Sequence, residues 1–159
     1  MEDEMNSLYR KLAETVNDMI PEEWMECYLY AQISETGGGT YFFYNTNEQD
    51  YKYSLEIPFN EIDEDEFEAM EDLLYKFSKE LREVFSENGQ EPWYSFTMSL
   101  KRKGPFHIHF DYTDWFNTEY SFSDQMMIWK NKYLGEQSVD DSAKKIIKKY
   151  HIDFPQDPI

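Results

Sequence analysis

Only one cysteine, Cys27, occurs in the 159 residues, and it sits inside an apolar stretch. A single thiol supplies neither a disulfide framework nor a thiolate metal site, which fits a reducing compartment. Long apolar runs are missing too: nothing approaches the roughly 18 consecutive apolar residues that a membrane-spanning helix needs. The opening segment, MEDEMNSLYRKLAETV, carries acids where a signal peptide needs positive charge followed by an apolar run. The expectation is a cytoplasmic chain, neither exported by that route nor inserted in a membrane. Catalytic signatures are equally scarce. There is no G-x-x-x-x-G-K-[ST] phosphate loop, no H-E-x-x-H metal motif and no G-x-S-x-G nucleophile elbow. Repeats and low-complexity linkers are absent. Positive charge is in short supply, with 15 Lys+Arg against 33 Asp+Glu and a net charge of -18.

What is present in abundance is aromatic area. Tyr 13, Phe 12 and Trp 4 make 18% of the chain, and such rings bury large surfaces, so a packed globule is expected. The length suits one α+β domain over residues 1–159, closed around a single core, with 136–159 as a helical tail. The charge is lopsided. Residues 1–91 hold 24 acids against 6 cations, whereas residues 92–159 hold 9 of each. A net charge of about 2 to 8 in magnitude is enough to keep a small domain soluble, so this excess has room for a second role. Such a field repels nucleic acid and anionic lipid and speeds encounter with a basic protein. Solubility alone is the competing explanation, and charge by itself does not choose between them.

The periodicity predicts a helix over residues 3–19, with Met5, Leu8, Leu12 and Val16 on one face and Pro21 as its stop. From Trp24 the period becomes two: Cys27, Leu29, Ala31 and Ile33 alternate with Glu26, Tyr28, Tyr30 and Gln32, as in a strand. Gly37 to Gly39 read as the turn, with strands at Thr40–Tyr44 and Tyr51–Ile57 completing a meander. Asp63 caps a long helix over 64–87, whose stripe is Phe67, Met70, Leu74, Phe77, Leu81 and Val84 and which ends at Asn88 and Gly89. Residues 93–102 and 106–112 form a second hairpin, with Phe106, Ile108, Phe110 and Tyr112 on one face, making about five antiparallel strands in all. Ser123 is the expected cap of a helix reaching Tyr133, and Ser138 with Asp141 resembles a capping box before AKKIIKKYH.

Few constellations carry chemistry. His107, His109 and Asp111 occupy alternate positions of one strand, so their side chains share a face as metal ligands would, but spacing alone is weak and solvated histidines are the simpler reading. Cys27 in a strand reads as core rather than nucleophile, and the triple glycine as a hairpin turn rather than a phosphate cradle. Lys144, Lys145, Lys148 and Lys149 read as a solvated helix face. Of Trp24, Trp93, Trp115 and Trp129, only Trp115, amid Asp111, Asp114, Asn117 and Glu119, is expected to be exposed.

NGQEPW at 88–93 and FDYTDWFNTE at 110–119, with MIPEEW at 19–24, YLY at 28–30, IP at 57–58 and KYLG at 132–135, resemble the YezG/EsaG-like family of bacterial immunity proteins. The likeness spans roughly residues 5–135. It departs at His107 and His109 and in the tail after Gly135. It implies no catalytic residues and no cofactor. The implied role is that of an antitoxin in Gram-positive bacteria, made beside a secreted LXG-type polymorphic toxin whose C-terminal domain is commonly a nuclease. On that footing Glu61, Asp63, Glu64, Asp65, Glu68 and Asp72 are the expected steering charges. Asp111, Tyr112, Asp114, Trp115 and Glu119 are the expected anchors, with core packing as the alternative reading of this second group. Rival readings are a small metal-dependent enzyme using His107, His109 and Asp111, and a general acidic adaptor that mimics nucleic acid.

Overall fold

The computed structural model describes residues 1–47, 50–59, 63–137 and 140–159. Among them are four α-helices and a five-stranded antiparallel sheet, an α+β architecture as expected. The chain forms two compact units, Met1–Phe110 and Asp111–Ile159.

In the first unit, α1 (Glu2–Met19) begins with Glu2, Asp3 and Glu4, acids that suit the positive end of the helix dipole, and stops at Ile20, whose backbone turns extended ahead of Pro21. It buries Leu8, Leu12, Val16 and Met19 at helical spacing. The strands are β1 (Glu26–Ser34), β2 (Gly37–Asn45), β3 (Lys52–Tyr53), β4 (Ser95–Lys101) and β5 (His107–Asp111), in the spatial order β3-β2-β1-β4-β5. Central β1 pairs antiparallel with β2 and β4, so Leu29 lies opposite Phe42 on one side and Met98 on the other. Cys27, Leu29, Ala31 and Ile33, with Phe42, Tyr44, Phe96, Met98 and Leu100, join the buried stripe of α1 and of α2 (Glu64–Glu87) in one core. A fully buried side chain such as Leu12 or Leu29 contributes about 2 kcal/mol through water released from apolar surface. On the second hairpin Ile108 and Phe110 pack against this core, whereas Phe106 and Tyr112 remain 43% and 45% exposed.

The second unit holds α3 (Phe122–Tyr133) and α4 (Asp141–Asp153), which pack on each other. Its centre is aromatic: the Trp115 ring lies 5.1 Å from Phe154, 5.5 Å from Tyr120 and 6.1 Å from Tyr150.

Four local expectations need correction. The first turn is Glu35–Thr36, and Gly37 to Gly39 belong to β2; Ser34 pairs with Gly37, and a Cβ on Gly38 would fall 1.9 Å from the carbonyl oxygen of Gln32. The third strand is two residues long, because the chain turns into a 3₁₀ segment at Ser54–Phe59 and the buried Ser54 hydroxyl accepts the Phe42 N–H, a donor that a longer strand would have used. Ser121, not Ser123, caps α3 through a reciprocal capping box with Asp124. Asp140 caps α4 by accepting from the Ala143 N–H, while Ser138 lies outside the described residues. Among the described residues no helix is long and apolar enough to cross a membrane.

Candidate interaction surfaces

Helix periodicity places the acids of α2. Phe67 and Leu74 point inward, so Glu64, Asp65, Glu68 and Asp72 project into solvent beside the cap residue Asp63. Asp63 performs the capping expected of it, its Oδ1 accepting the Asp65 N–H at 3.0 Å. None of these five carboxylates forms an ion pair with a described residue. Glu61 lies outside the described residues. The crowding is felt at half-buried Glu71, whose carboxyl is held above the ordinary glutamate range, first by burial and then by the neighbouring charges of Glu68 and Asp72. At Tyr53 burial raises the phenol, and Tyr41 and then Glu71 add to the effect. Chemically this is an unneutralised anionic helix end, suited to attracting cations and to excluding phosphate.

Two of the five expected anchors, Asp111 and Trp115, belong to the core. Trp115 is 1% exposed and Asp111 is 3% exposed. The Trp115 indole N–H donates to Asp111 Oδ2 at 2.7 Å, and the Thr113 N–H donates to Asp111 Oδ1 at 2.9 Å. An acid near a tryptophan read as a sign of surface; here the carboxylate is the acceptor that allows the indole to be buried. Tyr112, Asp114 and Glu119 are the accessible members, with Glu119 paired to Lys149 at 3.3 Å and the Asp114 carboxylate accepting from the Asn117 amide. Phe116, which the sequence reading passed over, is 60% exposed. Its adjacency to Trp115 is the signal, since two neighbouring rings on one tight turn point in different directions.

The residues of the rival metal site are not gathered as ligands among the described residues. His107 and His109 are exposed on β5, but both Asp111 carboxylate oxygens accept hydrogen bonds from its own segment, and the described residues contain no group of three or more His, Cys, Asp or Glu placed to hold a metal. Cys27 is fully buried, and burial pushes its thiol up and away from the reactive thiolate. Lys144, Lys145, Lys148 and Lys149 line an exposed helix face, and Lys149 binds Asp153 at 2.7 Å while lying over the Tyr120 ring at 4.5 Å.

Comparison with known proteins places the chain in a family. A family model described as immunity protein YezG-like matches residues 5–148, past Gly135 and into α4. Immunity protein YezG of Bacillus spizizenii is 33% identical over 149 residues, covering 92% of each chain. Immunity protein YezG of Bacillus subtilis is 30% identical over 154 residues, covering 92% of this chain and 98% of that one. The type VII secretion system protein EsaG of Staphylococcus aureus is 32% identical over 137 residues, covering 84% of this chain and 83% of its own. With nearly the whole length matched, the chain belongs to the YezG-like family of immunity proteins.

Proposed function

We propose that this chain is a cytoplasmic antitoxin without catalytic activity of its own, which binds the C-terminal nuclease domain of a cognate LXG-type secreted toxin, one to one, and occludes or distorts its substrate site. The observation that carries the reading is the exposed acidic run of α2, in which Asp63, Glu64, Asp65, Glu68 and Asp72 lack ion-pair partners among the described residues. A nuclease grips phosphate through cationic groups, and those groups are what a bare row of carboxylates attracts. Tyr112, Asp114 and Glu119 offer a second set of contacts, while Asp111 and Trp115 hold the segment that presents them.

Co-expression with the toxin domain encoded beside it tests the reading. Cell survival together with a co-purifying one-to-one complex supports it; neither rescue nor binding overturns it. Equal capture of unrelated basic proteins would point instead to a general acidic adaptor. In the complex, replacing Glu68→Lys and Asp72→Lys together should slow association roughly tenfold at low salt with little change in dissociation, as read by surface plasmon resonance.

A further inference from the structure

Helix α4 divides its lysines between two kinds of surroundings. Lys149 is engaged within the protein, pairing with Asp153 at 2.7 Å and with Glu119 at 3.3 Å. Lys144 and Lys148, one helical turn apart, are exposed and have no ion-pair partner among the described residues. Both line a hollow of about 490 Å³ together with Ile147, His151 and Ile152, all at the three- and four-residue spacing of one helix face. Asn131 of α3 and Gln137 complete its lining. In a chain with 33 acids, no carboxylate of the described residues lines this hollow. Apolar surface accompanies the charge: Ile152 is 70% exposed, the most exposed large hydrophobic residue among those described. Neither feature helps the fold. Like charges one turn apart destabilise a helix, and an isoleucine left in water forgoes the gain of burial.

We infer that this groove docks an acidic amphipathic helix of a protein partner, whose carboxylates meet Lys144 and Lys148 and whose apolar stripe covers Ile147 and Ile152. The spacing matches. Lys144 and Lys148 stand roughly 6 Å apart along the helix axis, as do carboxylates at i and i+4 of a partner helix. The two isoleucines supply the apolar centre that charge pairs alone lack, and the lysines form a salt-sensitive rim. A nucleic acid fits less well, because its phosphates make no use of an exposed isoleucine and a chain of net charge -18 repels a long polyanion more than a short acidic helix. The groove belongs to the second unit and is cationic, whereas the steering acids of α2 belong to the first. The inference therefore does not rest on the proposed antitoxin role.

Fluorescence anisotropy with the full chain tests it. The probe is a dye-labelled peptide of roughly 18 residues, long enough to hold a helix, built from glutamate, leucine and alanine with glutamates at i and i+4 beside a leucine stripe. The wild type should bind it saturably. Lys144→Glu with Lys148→Glu should weaken binding roughly tenfold or more, and Ile152→Ser roughly threefold or more, with the wild-type far-ultraviolet dichroism kept. Ile152 is mostly in solvent, so its replacement reads the contact rather than the fold. Lys145→Glu, on the same helix but outside the hollow, should stay within about twofold of wild type. A peptide with serine in place of every leucine should bind more weakly. Absence of binding by the wild type, an equal loss in Lys145→Glu, or an unchanged affinity in Ile152→Ser overturns the inference. Tighter binding of an oligothymidylate of equal charge also overturns it and assigns the groove to nucleic acid.

Discussion

Two single residues show how tightly local chemistry is set. Gly38 sits in β2 with φ of +155°, and the carbonyl oxygen of Gln32 occupies the place a Cβ would take, whereas Gly37, with φ of +144°, has open space around it. Gly38→Ala should therefore cost about 2 kcal/mol or more, and Gly37→Ala about 1 kcal/mol from backbone strain alone. Urea unfolding of the two variants separates the contributions. At Asp111 the carboxylate answers the Trp115 indole N–H in a buried site. Asp111→Ala leaves that donor buried without its partner and should cost about 2 kcal/mol, seen as a lower urea midpoint followed by tryptophan fluorescence.

At the scale of elements, helix ends are where sequence and structure differ by a residue or two and where the difference can be measured. Ser121 accepts the Asp124 N–H at 3.0 Å while the Asp124 carboxylate accepts the Ser121 N–H at 3.0 Å. Ser123 lies one position inside α3 and is exposed. Ser121→Ala should lower stability by about 1 kcal/mol, and Ser123→Ala should stay within about 0.5 kcal/mol of wild type in the same unfolding assay. Strand β3 makes the related point for the sheet. Its shortness comes from one hydroxyl, that of Ser54, taking over a backbone donor at the sheet edge, a substitution that strand propensity does not register.

Across the whole molecule the governing feature is concentrated negative charge. Of the 33 acids, 24 precede residue 92, and α2 alone sets Glu68, Glu71 and Asp72 on neighbouring turns. Glu71 reports the consequence for stability. Its carboxyl titrates above the ordinary glutamate value of 4.5, so between the unfolded and folded values the native state holds more protons than the unfolded state. The stability tied to its protonated form is present below the unfolded value and is lost as pH rises through the folded one. Glu71→Gln should accordingly be more stable than wild type at neutral pH, with the advantage disappearing as pH falls below the ordinary carboxylate range. Thermal unfolding at a series of pH values measures this, and an advantage that grows on acidification would contradict the assigned direction.

Much of this protein is written in its local pattern. Apolar spacing of three and four marks α1 and α2, Asp63 and Gly89 bracket the longer helix, and period-two alternation marks the strands, because these signals depend on near neighbours in the chain. The same holds for the acid excess and for Cys27 as a core residue. What only the tertiary structure decided depends on groups brought together from afar or on the direction in which a side chain leaves a turn. Trp115 is buried because the backbone after β5 turns its indole onto Asp111 and against Tyr150 and Phe154. The glycines of β2 are strand rather than turn because Gln32 crosses Gly39 at close quarters and leaves no room for a side chain on Gly38. Composition set the sign and amount of charge; folding decided which charges face each other and which are left to face a partner.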